Sequence, residues 1–449
     1  MASTYLTRTF QSGGSVVKWT FSAWVKKTSI GGSDNTIFSR YQSSDYYTKV
    51  GFGSDQLLFY QRHAGGWGGL LESTQKFRDV NGWYHFVFVW DTGNVTADDR
   101  MRCYVNGVQI TDFASRTNPA TDLGSTWNTA FSQEIGRFNS TDYWKGYMTH
   151  INFCDGYAYS PTDFGEFDSN GVWKINTSPS VSYGTTGFNI LKDGNTITDS
   201  SANTNNWTLG GGTLSDDTDS PSNVFSTLNA LNLGSGGSLD NCGNSCNMDA
   251  NAQFGSSSTL GMSSGKYYME MKYSAQVGGA DRIMLGISGD PAKLRNSTPW
   301  SGGSGSGYVG GTDGYGYYSD GGNKYISDTG TAYGDSYTVG DIIGIALDLD
   351  NNRLFFSKNG TWQDSGDPTS STGAISIAAA STTNTGCYFF AVTDTSAVYG
   401  GTVQCNFGNG YFGTTAISSA ENPDNGYGAF EYDVPAGYKA LCTKSLNGE

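Results

Sequence analysis

The chain has 449 residues, 63 of them glycine and 9 proline, and a formal charge of -15 from 26 basic and 41 acidic side chains. Its length favours two or three globular units over one, and its apolar content excludes gross disorder although only 15% of residues are charged, against an ordinary ~25%. Acidity without a block of like charges excludes a phosphate-backbone partner, so no nucleic acid is expected.

No stretch of a dozen residues holds a 3.6-residue period, whereas short alternating runs bounded by Gly, Asn, Asp and Ser recur throughout, which predicts an all-β protein. The opening residues 1–10 lack a basic stretch followed by an apolar core, and no window approaches eighteen apolar residues. Neither a secretory precursor nor a membrane span is expected. His63-Ala64-Gly65-Gly66-Trp67-Gly68-Gly69 reads as a glycine-rich loop with little of its own to bury the Trp67 ring. That ring has three uses open to it: a ligand, a neighbouring subunit, or packing within its own domain. Trp83-Tyr84-His85-Phe86-Val87-Phe88-Val89-Trp90 is apolar on both alternations and predicts a strand covered on both faces. Asn106-Gly107 then closes a hairpin, because a type I′ turn demands two positive φ angles.

Residues 199–221 are polar and rich in Asn, Gly and Asp, which marks a boundary. The expected division is one domain over 1–210, a linker over 211–221 and a second domain over 222–449. In the second half, Lys266-Tyr267-Tyr268-Met269-Glu270-Met271-Lys272-Tyr273 alternates, predicting Tyr267, Met269, Met271 and Tyr273 buried and the opposite face wet. Glycine-rich stretches at 234–238 and 302–307 read as loops. A three-strand meander is predicted from 341 to about 362, turning at Asp350-Asn351-Asn352 and Asn359-Gly360.

Chemistry is sparse. The three histidines, His63, His85 and His150, have no metal-pair spacing, and His85 inside its apolar strand is expected to be a packed or hydrogen-bonded core residue. Seven cysteines, an odd number spread thinly, do not form a disulfide scaffold, and Cys242 with Cys246 lacks a second close pair for zinc. No metal and no cofactor are expected. Glu166 and Asp168 fall on one face by alternation and form the one carboxylate pair weighed for glycoside cleavage, with a solvated turn as the competing reading. Gly303-Ser304-Gly305-Ser306-Gly307 lacks the strand-to-helix setting of a nucleophile elbow, and Gly261-Met262-Ser263-Ser264-Gly265-Lys266 is one residue short of a phosphate loop. Binding is better served, since sugars stack C–H faces on aromatic rings and offer hydroxyls to amides and carboxylates. The candidate ligand-binding residues are Trp67 and the cluster of Trp300, Tyr308, Tyr315 and Tyr317, although Tyr315-Gly316-Tyr317 equally describes a core strand.

Phe21-Ser22-Ala23-Trp24-Val25-Lys26, Trp83-Tyr84-His85, Tyr104-Val105-Asn106-Gly107 and Trp144-Lys145-Gly146-Tyr147-Met148 resemble the laminin-G, or concanavalin A-like, jelly roll. Lys266-Tyr267-Tyr268-Met269-Glu270, Gly340-Asp341-Ile342-Ile343-Gly344, Asn359-Gly360 and Asn406-Phe407-Gly408 resemble a SPRY domain. These resemblances imply two tandem β-sandwich (jelly-roll) domains, laminin-G-like followed by SPRY-like. The pairing resembles virion proteins of tailed bacteriophages. It implies a non-enzymatic fibre, spike or capsid-surface appendage located in the virion after assembly in the host cytoplasm. Other virion proteins and a host-surface glycan are the implied partners, and a homo-oligomer the implied state, a trimer by analogy with fibres. A bacterial surface lectin or adhesin, and a polysaccharide depolymerase, are the alternative functions.

Overall fold

The computed structural model of the chain describes residues 3–11, 13–32, 35–234, 236–248, 255–295, 308–311, 313–396 and 398–448. It is nearly all β and divides into two compact units, Met1–Asp216 and Asp217–Glu449. The stretch read as a linker, 211–221, is shared between them. Leu214 packs on the core of the first unit, whereas the Thr218 hydroxyl donates to the Gly408 carbonyl of the second at 3.1 Å.

The first unit is a sandwich of an eight-stranded and a six-stranded antiparallel sheet. Strands Phe113–Thr117, Gly66–Lys76, Gln56–His63, Tyr46–Gly53, Asn35–Ser43, Ser132–Ile135, Tyr5–Thr9 and Thr208–Gly211 lie side by side in the larger one. The smaller runs Phe188–Ile190, Gly146–Asp155, Lys18–Lys27, Trp83–Asp91, Met101–Val105, Val108–Gln109. Alternation sends Phe21, Phe88 and Trp90 from one sheet against Phe38, Val50 and Phe59 from the other, and these rings form the core.

Trp83–Asp91 is an interior strand and is covered on both faces, as its sequence predicts. Its second face carries Val87 and Val89, which pack with Cys154 and Phe164. Over the same face lies a two-stranded ribbon, Gly165–Phe167 with Trp173–Ile175. The Asn106-Gly107 turn takes φ of 46° and 82°. Gly107 lies so close beneath Trp173 that a Cβ there would collide with the indole.

The second unit pairs a nine-stranded with a six-stranded sheet. In the larger sheet Lys266–Val277 is central, flanked by Gly400–Asn406 and Ile342–Asp348, with Arg353–Lys358 and Thr361–Trp362 completing the meander. The smaller contains Gly255–Ser257, Phe389–Asp394, Ile283–Ser288, Gly314–Tyr318, Asn323–Ile326 and Thr329–Ala332. Tyr267, Met269, Met271 and Tyr273 enter the core between them.

The opposite face of Lys266–Val277 is not wet, which corrects the sequence expectation. Tyr268 and Glu270 are buried there, Glu270 completely. The chain returns late to cover them: Lys439–Ala440 pairs in parallel with Tyr267 and Tyr268, and Phe430, Tyr438 and Cys442 close over Tyr268. Alternation in one strand reports its own two faces and carries no information about a segment 160 residues downstream that seals one of them.

Candidate functional site

Trp67 does not sit in a loop. Gln56–His63 and Gly66–Lys76 form a hairpin whose two-residue turn, Ala64 and Gly65, takes φ of 50° and 77°, so the glycine-rich run is strand up to the turn itself. Trp67 lies opposite Arg62 on this hairpin. Arg62 lies opposite Tyr47, and Tyr47 opposite Tyr41 on Asn35–Ser43. Since Val50, Phe52, Leu57 and Phe59 point into the core, alternation puts Trp67, Arg62, Tyr47 and Tyr41 together on the outer face. They form one row straight across four strands, spanning about 14 Å at the usual strand spacing.

The rings touch along the row. Trp67 meets Tyr60 edge-on at 5.4 Å, Tyr60 meets Tyr47 at 5.9 Å, and Tyr47 stacks on Tyr41 at 6.1 Å. Phe138, from a loop crossing this face, closes the far end at 5.4 Å from Tyr41 and 5.2 Å from Tyr47. That loop is held down by Lys49, whose ammonium lies 3.0 Å from Asp142 and 4.8 Å from the Phe138 ring. Trp67 is 46% exposed and Tyr41 39%. The Arg62 guanidinium lies 5.0 Å from the Trp67 ring centroid and donates to the Gly65 carbonyl, and such a cation–π contact contributes about 0.5–1 kcal/mol at an exposed site. The result is an aromatic patch on the outer face of a sheet, with side chains already braced by their neighbours. It suits a flat, C–H-rich ligand.

The structure places the other candidates differently. Tyr315 and Tyr317 are corrected from ligand-binding to core residues. Both belong to the second unit's main core, where Tyr317 is 0% exposed and packs on Tyr333 and Phe356. The Tyr317 hydroxyl donates to the Asp335 carbonyl, and that of Tyr315 accepts the Ala378 N–H at 2.8 Å. Tyr308 is likewise buried, in a smaller cluster with Met284, Leu294 and Tyr318. The reason is the alternation of Gly314–Tyr318, whose inward positions are the tyrosines of the Tyr-Gly-Tyr run. Trp300 lies outside the described residues.

His85 is a core residue. Its ring lies nearly parallel to Trp24 at 5.0 Å, with Trp173 beside it at 5.8 Å in nearly the same orientation. Trp173 Nε1 donates to Nδ1 at 3.1 Å, which fixes the neutral tautomer with its proton on Nε2, donated to Ser22 Oγ at 2.8 Å. Burial pushes its pKa down to about 3. The Glu166 and Asp168 pair does not converge on a cleft. Glu166 is exposed on the ribbon, and one Asp168 oxygen accepts the backbone N–H groups of Asn170 and Val172 at 2.9 Å each. Asp168 is thus held below its usual pKa by the Val172 and Asn170 amides and by Lys174. All seven cysteines are free thiols. Among the described residues no group of three or more His, Cys, Asp or Glu side chains is placed to hold a metal ion, and no helix is long and apolar enough to cross a membrane.

Residues 3–163 match the concanavalin A-like lectin/glucanases superfamily, and residues 266–409 match the SPRY domain. Ran-binding protein 9 of Danio rerio is 35% identical over 98 residues, 21% of this chain and 14% of that protein. Ran-binding protein 9 of Homo sapiens is 35% identical over 98 residues, 21% of this chain and 12% of its own length. The chain therefore spans about one seventh or less of these curated relatives. Among solved structures, the SPRY domain of human HERC1 is similar at 18% identity and a TM-score of 0.28, covering 38% of this chain and 91% of that one. A SAP-like pentraxin from Limulus polyphemus is similar at 19% identity and a TM-score of 0.26, covering 35% and 72%. The Ran-binding relatives overturn the virion reading, both as function and as location. That reading rested on a pairing of modules, and related sequence of this kind occurs in proteins of animals. What the comparisons leave standing is a concanavalin A-like β-sandwich followed by a SPRY β-sandwich.

Proposed function

We propose that this chain is a non-enzymatic binding protein whose first unit is a lectin-like module that takes saccharides on its outer-face aromatic row. One observation carries the reading: Trp67, Tyr60, Tyr47, Tyr41 and Phe138 form an unbroken chain of ring contacts on one sheet face, with Trp67 and Tyr41 left open to solvent. Rings held by a sheet lose little freedom on binding, so stacking energy goes into affinity. The match of residues 3–163 to the concanavalin A-like lectin/glucanases superfamily supports the same reading. A cleaving role is the less favoured alternative, because Asp168 is committed to its own turn.

Glycan-array binding by the intact chain tests the proposal. Trp67→Ala is expected to lower saccharide affinity at least tenfold while leaving the circular dichroism spectrum unchanged. Unaltered binding contradicts the assignment. New reducing ends from a polysaccharide incubated with the protein, lost in Glu166→Gln, contradict the non-enzymatic part. A second role, in holding a protein partner, is supported by the likeness to proteins named for binding Ran. Retention of Ran on the immobilised chain is its test.

A further inference from the structure

Arg62 sits in the middle of the row, between Trp67 on one side and Tyr47 on the other. Two other cations near the row are paired: Lys49 with Asp142 at 3.0 Å, and Arg137 with Glu134. Arg62 has no carboxylate within ion-pair distance among the described residues, and the Gly65 carbonyl takes one of its five N–H donors. In a chain with 41 acidic and 26 basic side chains, an arginine beside the exposed Trp67 indole has no acid in ion-pair contact among the described residues.

We infer that the aromatic row of the first unit is selective for acidic saccharides, a ring carboxylate pairing with the free edge of the Arg62 guanidinium while adjoining sugar rings stack on the solvent-open Trp67 and Tyr41. The chemistry is that of a planar fork. A guanidinium offers two parallel N–H donors that match the two oxygens of a carboxylate. Its face is already fixed against the indole, so the orientation of the edge is set before the ligand arrives. The centre of a row about 14 Å long leaves aromatic surface to either side for the flanking sugars. This rests on the saccharide reading above and adds the charge of the ligand to it.

The test uses the full chain and oligosaccharides of galacturonate and of hyaluronan, each beside its methyl-esterified twin, in isothermal titration at low salt. The expected result is at least tenfold tighter binding of each acid than of its ester. In Arg62→Gln the acid and its ester should bind alike, at the affinity the wild type shows for the ester, and Arg62→Lys should retain part of the preference. Equal affinity for acid and ester in the wild type, or a preference that persists in Arg62→Gln, overturns the inference and leaves a neutral saccharide platform. Failure of both acids and both esters to bind overturns the platform itself.

Discussion

Glu270 shows how much one buried carboxylate can organise. One of its oxygens accepts the Glu431 N–H at 2.9 Å and the other the Tyr432 N–H at 2.9 Å. The Tyr268 hydroxyl and the Asn406 amide reach it at 3.1 and 3.3 Å. Burial raises its pKa to about 7 against the pull of all four donors. Glu270→Ala strands two backbone donors under the returning segment and is expected to destabilise the second unit by about 3 kcal/mol. Amide exchange at 430–432 should accelerate with it; exchange that stays slow contradicts the bracing role. Glu270→Gln offers one acceptor oxygen where two N–H groups need one each, so it should rescue only part. None of this was legible in the sequence, where Glu270 is simply the polar position of an alternating strand.

At the scale of elements, the hairpin closed by Asn106-Gly107 was legible and the site was not. Asn106-Gly107 announced its turn because residue chemistry and backbone angle are the same fact there. Gly107→Ala meets both a positive φ and the Trp173 indole, and is expected to cost about 3 kcal/mol, read as a lower denaturation midpoint. A midpoint within error of wild type contradicts the packing described for the ribbon. The Ala64-Gly65 turn was missed, because alanine rarely takes a left-handed angle and the surrounding glycines looked like loop. Misplacing that turn hid the register, and the register is what aligns Trp67, Arg62, Tyr47 and Tyr41. Tyr60 and Arg62, two apart on one strand, were a signal of a shared face; Phe138 arrives from a loop and had none. Tyr315 and Tyr317 erred in the other direction, since an alternating Tyr-Gly-Tyr run fits a core strand as well as an exposed one.

For the whole molecule, the two units respond to acid in opposite directions. The folded first unit holds His85 neutral, with a pKa near 3 against an ordinary 6.5, and burial lowers His150 as well. The unfolded chain binds protons that the folded one refuses, so this unit loses stability as pH falls below about 6.5. The second unit carries Glu270, raised from 4.5 to about 7. There the folded form binds the extra proton, and stability rises as pH falls from about 7 towards 4.5. Between pH 7 and pH 5 each effect amounts to about 2 kcal/mol, or roughly 6 °C in a unit of this size. Calorimetry of the intact chain should resolve two transitions whose separation changes by the sum of the two shifts. Parallel movement of both contradicts one of the two assignments. Saccharide, if it binds the outer-face row, should raise only the first unit's transition.

Saccharide lying on Trp67 is reported directly by the indole N–H resonances of the chain's eleven tryptophans. Adding hyaluronan oligosaccharide to the labelled full chain should shift one indole cross-peak saturably, the one absent from Trp67→Phe. Those of Trp19, Trp90 and Trp127, buried in the core, should stay where they are. A titration that moves no indole signal, or moves others and spares Trp67, contradicts the account.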